Sequence, residues 1–226
     1  MYVTLSHAPT NTAPAEPAPS CKTVSNLNRP VRRLAVGASV YREGDEATHI
    51  YEVKTGILRL TRVLANGRRQ VIAFALPGDV IGFPDGGNHH TDCDVLESCE
   101  VTAHPRAALD AGRRDPDTHE RLLRAALREI SAMQDHVMML ARKSALEKVA
   151  SFLMVLADRT GTRRGNHISI DLAMKRSDIA DFLGLTIETV SRTITQLRNS
   201  GVIALESAQT VVILDHAALA EAADAD

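Results

Sequence analysis

Glu188, Ser191 and Arg192 place a carboxylate, a hydroxyl and a guanidinium within little more than one helical turn, in the stretch LGLTIETVSRTITQLRNSG (residues 183–201). That combination suits the edge of a base pair. A guanidinium offers two parallel donors that match guanine O6 and N7, and a carboxylate accepts from cytosine N4. A hydroxyl reaches a phosphate or a base edge. The competing reading is a surface i,i+4 pair between Glu188 and Arg192, which stabilises a helix by only ~0.3–0.5 kcal/mol. What surrounds these residues decides between the two.

The flanking sequence predicts two short helices around a tight turn. Ser177–Leu183 carries Ile179, Ala180 and Leu183 on one side, Gly184-Leu185 makes the turn, and the Thr186 hydroxyl caps the next helix. In that second helix Ile187, Val190, Ile194 and Leu197 recur at intervals of 3, 4 and 3 and are expected to face inward. Glu188, Thr189, Ser191, Arg192, Thr195, Gln196 and Asn199 then face out. Two β-branched runs follow, Val202–Leu205 and Val211–Leu214, joined by Glu206–Gln209. Together these elements read as a helix-turn-helix with a β-wing, which places the polar trio in a DNA groove. Thr186, Thr189, Thr195, Lys175 and Arg176 are the expected backbone or supporting contacts.

Upstream, Leu123, Ala126, Ile130, Met133, Val137 and Leu140 are separated by 3, 4, 3, 4 and 3. So strict a seam fits a partner helix better than a single amphipathic helix lying on its own domain, and it predicts a homodimer. Asp115-Pro116-Asp117 starts this helix, and Arg142–Arg159 continues as a second helical stretch. Before it, Val31 to about His104 is β-rich, with Gly37, Gly44, Gly56, Gly67 and Gly78 spaced by 7, 12, 11 and 11, the rhythm of a small sandwich or barrel. The clearest hairpin pairs Ile57–Leu64 with Gln70–Leu76 across a two-residue Asn66-Gly67 turn. Thr160–Asn166 reads as a basic loop, Ile168–Ile170 as a short strand, and the acidic, Ala-rich end as a last helix.

The order of β-roll, long helix and winged helix-turn-helix resembles the cyclic-AMP receptor/fumarate-nitrate-reductase (Crp/Fnr) superfamily of bacterial regulators, over about residues 31–215. FALPGDVIGF (Phe74–Phe83) and DIADFLGLTIETVSRTITQLRNSGVI (Asp178–Ile203) carry the resemblance, and the E-x-x-S-R pattern is similar to that of the FixK-type branch. It implies an α+β fold: a disordered tail (1–28), a cyclic-nucleotide-binding-like β-roll (29–114), a dimerisation helix (115–142) and a winged helix-turn-helix (143–226). It also implies that Glu188, Ser191 and Arg192 read TTGA-like inverted repeats, and that RNA polymerase is a partner. Ile187 stands where the cyclic-AMP branch has a further base-reading arginine, which argues against that branch's target. The physiological setting implied is microaerobic respiration or nitrogen fixation.

The roll lacks the cyclic-nucleotide branch's ligand motif. GFPDGGNHHTDCDVLESCEV contains no arginine and no Gly-Glu, so a cyclic phosphate would be left without a cation and cyclic AMP is not expected. Cys21, Cys93 and Cys99 cannot supply four thiolates to an iron–sulfur cluster. His89, His90 and Cys93, flanked by Asp92 and Asp94, are the weak candidates for metal or haem; a solvated loop is the expected reading, and no cofactor is expected. With 44% apolar and 24% charged residues and no membrane-length apolar run, the 226-residue chain reads as a soluble, cytoplasmic protein. Its net charge of −2 hides an uneven distribution: residues 141–200 hold ten basic and six acidic side chains, as a phosphate-facing segment requires. No nucleophile–base order or phosphate loop suggests an enzyme.

Overall fold

A computed structural model describes residues 31–84, 86–109 and 115–224. The expected tail, residues 1–28, lies outside them. Residues 31–105 form β1 (Val31–Leu34), β2 (Ser39–Tyr41), β3 (His49–Val63), β4 (Arg69–Ala75), β5 (Val80–Ile81) and β6 (Asp92–Pro105). Every pairing is antiparallel, in the order β1-β6-β3-β4, with β2 added on β6 and β5 on β3. β3 and β6 run together from His49↔Pro105 to Thr61↔Asp92, with the register broken around Thr55–Leu58. Gly56 sits in that break at φ +79°, and a Cβ there would lie 2.5 Å from the Ser98 carbonyl oxygen. Only glycine allows the two long strands to approach so closely.

The first hairpin differs from the expected two-residue turn. The Leu64 amide donates to the Arg68 carbonyl at 2.8 Å, and the Gly67 amide donates to the Leu64 carbonyl at 2.8 Å. Three residues, 65–67, therefore make the loop. Asn66 Oδ1 accepts from the Arg68 amide and Gly67 takes φ +77°, the geometry of a bulged three-residue hairpin.

α1 (Pro116–Arg142) begins at Asp115, whose carboxylate accepts from the Thr118 amide at 3.2 Å. It buries Thr118, Leu122, Ala125, Ala132, His136 and Met139 against its own chain. The neighbouring stripe stays outside: Leu123 is 48%, Ile130 54% and Val137 58% exposed. Two heptad-spaced faces thus lie side by side, one packed and one without a partner in the isolated chain. At Lys143-Ser144 the chain breaks helix. Ser144 and Glu147 form a reciprocal capping box that starts α2 (Ala145–Thr160). Every residue from Lys148 to Ala157 is buried, which makes α2 the central helix of the C-terminal half.

Thr162–Arg164 is a strand, β7, where a loop was expected. It pairs with β8 (His167–Asp171) around Gly165 at φ +63°, because the following Ile168 and Ile170 give it an edge to join. α3 (Arg176–Leu183), α4 (Ile187–Asn199), β9 (Ile203–Leu205), β10 (Thr210–Ile213) and α5 (His216–Asp224) complete the chain, with a second sheet ordered β7-β8-β10-β9. One hydrophobic core crosses from roll to winged helix: Ile57, Val71, Phe74 and Leu76 join Met139 and the buried faces of α2, α3 and α4. Three of the chain's four phenylalanines meet there, with Phe74–Phe182 centroids 5.3 Å apart and Phe152 6.0 Å from each. His136 of α1 stacks on Phe182 at 4.3 Å.

Candidate nucleic-acid interface

Gly184 ends α3 in the left-handed conformation at φ +63°, and the Leu185 amide returns to the Ala180 carbonyl at 2.9 Å. Two residues later Thr186 starts α4. Its Oγ1 accepts from the Thr189 amide at 3.1 Å and lies 3.0 Å from the Thr189 hydroxyl. Val190, Thr193, Ile194 and Leu197 face the core. Ile187 does not: it is 46% exposed, against the expectation that it faces inward. The helix begins only at Ile187, so the inward position ahead of Val190 is taken by Leu185 from the turn, which packs on the core. The sequence locates the cap at Thr186, but its period does not show that the first helical residue stays exposed while Leu185 packs on the core.

Glu188, Ser191 and Arg192 are all exposed on the first turns of α4. The carboxyl of Glu188 is held below the usual carboxylate range, first by its own backbone amide at the open helix end, then by the Thr186 hydroxyl, with a smaller contribution from Arg192. An i,i+4 ion pair forms elsewhere, between Arg124 and Glu120 on α1. Ser191 donates its hydroxyl to the Ile187 carbonyl at 2.8 Å, and Thr195 donates to the Ser191 carbonyl at 2.9 Å. Each keeps oxygen lone pairs for a further donor. The surface therefore offers an anionic acceptor, hydroxyl acceptors and a cationic fork at the positive end of a helix.

Lys175 is the N-cap residue of α3 and is exposed. Arg176 is half-buried and braces the wing, donating from Nη2 to the Ala208 carbonyl at 3.2 Å; burial lowers its pKa. Thr186 and Thr189 bond to each other at the start of α4 and Thr195 is exposed one turn beyond Ser191, while Arg176 is turned toward the wing.

The weak metal candidates are not brought together. His89 is 4% exposed, stacked on Tyr41 with centroids 3.8 Å apart, and burial lowers its pKa; the expected solvated loop is pinned instead. The His89 amide donates to the Asp45 carbonyl and its carbonyl accepts from the Gly44 amide. His90 is exposed, while Cys93 is buried with its thiol pKa raised well above the usual range by that burial. Among the described residues no three His, Cys, Asp or Glu side chains are grouped to hold a metal. Beside His89 lies a cavity of about 300 Å³ between roll and α1, lined among others by Tyr41, Phe83, Glu129, Ile130 and Met133; among the described residues neither lysine nor arginine contributes to its wall.

Residues 31–113 match the family model of the cyclic nucleotide-binding domain, and residues 147–222 that of the Crp-like helix-turn-helix domain. The nitrogen fixation regulation protein FixK of Azorhizobium caulinodans is 38% identical over 206 residues, covering 90% of this chain and 83% of that protein. The chain is a FixK-type member of the Crp/Fnr family. FixK of Bradyrhizobium diazoefficiens is 41% identical over 75% of the chain and 72% of its own length. The solved structure of FixK2 from Bradyrhizobium japonicum superposes with a TM-score of 0.76 at 32% identity, covering 85% of this chain and 96% of that one. FixK-type proteins are transcription regulators with a DNA-binding helix-turn-helix, and α3 and α4 are that motif here. Among the described residues no helix is long and apolar enough to cross a membrane.

Proposed function

We propose that this regulator binds DNA as a cytoplasmic homodimer and reads TTGA-like inverted repeats, acting chiefly as an activator through contact with RNA polymerase. The observation that carries this is the exposed, capped first turn of α4, where Glu188, Ser191 and Arg192 stand clear of the core and of one another's ion pairs. Arg192 reads guanine and Glu188 reads the cytosine amino group, while Ser191 and the surrounding threonines, with Lys175, complete base and backbone contacts. The stripe Leu123, Ala126, Ile130, Met133, Val137 and Leu140, exposed at every position but the half-buried Ala126, is the dimer seam. A two-fold pair holds two recognition helices about one DNA turn apart, ~34 Å, and so requires a palindrome. The names of the relatives, nitrogen fixation regulation proteins, support a place in a microaerobic or nitrogen-fixation cascade.

Selection of duplexes from a random pool by the protein alone, with no added effector, tests site, symmetry and effector independence together. Inverted TTGA-like repeats are the expected outcome. Scrambled duplex held as firmly as the repeats would overturn the reading.

The roll cavity supports a second reading, in which the roll receives an effector. Among the described residues its wall holds the carboxylate of Glu129 and neither lysine nor arginine, so a cyclic phosphate would meet no guanidinium or ammonium there. Cyclic AMP is therefore expected to leave DNA affinity unchanged in an anisotropy titration, and an increase would contradict this account of the roll. A Soret band or stoichiometric metal in purified protein would favour the receptor reading.

A further inference from the structure

The roll grips the helix-turn-helix by a buried polar chain as well as by the shared aromatic core. Arg59 of β3 is 13% exposed at its side chain, and its Nη1 lies 3.0 Å from both carboxylate oxygens of Asp178, which is 1% exposed. Its Nη2 donates to Asp94 at 3.2 Å, directly across the sheet where Asp94 pairs with Arg59 in register. Arg69 of β4 reaches the same Asp178 oxygen at 3.2 Å. Gln70 donates to the Asp181 carbonyl at 2.6 Å. Asp178 is the third residue of α3, and its other oxygen also caps the Lys175 amide at 3.4 Å.

We propose that Arg59 is a positioning residue for DNA recognition: through Asp178 it fixes the angle between the recognition helix and the dimer axis, and so sets the half-site spacing the regulator accepts. This rests on the dimeric reading proposed above. The physical reason lies in the two kinds of contact at this junction. Apolar packing between Phe74, Phe152 and Phe182 resists separation but is indifferent to direction. A guanidinium forked between two carboxylates is directional. A buried ion pair adds little stability over apolar residues of the same size, and is better understood as specifying one arrangement among several that would pack. α3 passes its orientation to α4 through the Gly184 turn. The roll passes it to α1 through Ile50, Val80, Leu122 and Ala125, which share one core cluster. The grip does not block DNA, because Glu188, Ser191 and Arg192 remain exposed while it is formed.

The test uses full-length protein and three duplex sets: a single half-site, the selected inverted repeat, and that repeat with one base pair inserted or removed, which rotates one half-site by roughly 35°. Unmodified protein is expected to discriminate against the altered spacings. Arg59→Met is expected to lose about tenfold of that discrimination while keeping its affinity and base preference on the single half-site. Asp178→Asn, which keeps a capping oxygen but removes the charge, is expected to lose as much, and the double variant no more than either. Arg59→Met with intact spacing preference overturns the proposal. So does loss of base preference on the half-site, which would make Arg59 a support of the motif's fold, and so do additive losses in the double variant. Unmodified protein indifferent to spacing overturns the dimeric reading itself, a result distinguishable from the others because it needs no variant.

Discussion

Arg192 carries the sharpest expectation at the residue scale. Its guanidinium is exposed on α4, beside a carboxylate to which it is not ion-paired, so its donors are available to a base. Arg192→Ala is expected to cost ~1–3 kcal/mol on the best site and to flatten preference at one base pair, read by competition with single-substituted duplexes. Uniform weakening on every sequence would assign it to phosphate instead. The trio was legible in the sequence because it combined unlike polar groups at a helix start; a solvated face more often repeats long Lys/Glu pairs. Ile187 fits the 3-4-3 spacing and lies within the helix, yet it is exposed at the first helical position while Leu185 of the turn packs on the core. For His89 the sequence misleads because what pins it is not local. Its neighbours are loop-forming glycine and asparagine, but stacking on Tyr41 and backbone bonds to the Gly44–Asp45 turn come from residues more than forty positions away.

At the scale of elements, the helices were the most readable part. The start of α1 read from Asp115-Pro116-Asp117 agrees with the structure, since proline and an aspartate cap act locally. The strands are less so: the sequence reads β7 as a loop and the first hairpin as a tighter turn, since pairing depends on an edge supplied from elsewhere. Two elements meet at His136, where α1 stacks on Phe182 of α3. Burial, with Lys148 nearby, lowers the His136 pKa from 6.5 to about 4. The folded protein therefore holds this imidazole neutral while the unfolded chain takes up a proton first. Stability from this site is complete above pH 6.5 and is lost as pH falls toward 4, by up to roughly 3 kcal/mol. His136→Phe is expected to flatten that part of the denaturation profile, measured by urea unfolding between pH 7 and 4. An unchanged slope would remove His136 as the cause.

For the whole molecule, the question is what covers the outer face of α1. Leu123, Ile130 and Val137, with Leu127 at 57% and Met138 at 58%, leave a long apolar band exposed in a single copy. Ile130→Asp, which would bring two carboxylates together at the seam, is expected to shift sedimentation toward the monomer and to weaken palindrome binding more than half-site binding. An unchanged sedimentation profile would refute the seam. The sequence announced this stripe by its period alone, but it did not announce that a second stripe, Leu122 to Met139, would be spent on the chain's own core.

The phenylalanine cluster has a bearing on how such regulators can be recombined. Phe74 is contributed by the roll, Phe152 by the central helix of the C-terminal half and Phe182 by α3, so this aromatic cluster is shared across the junction, beside a separate core that the roll keeps around Val53, Leu58 and Val101. A chimera that transplants this roll onto a foreign reading head inherits a socket without its plug, and its maker must graft the matching aromatic along with it.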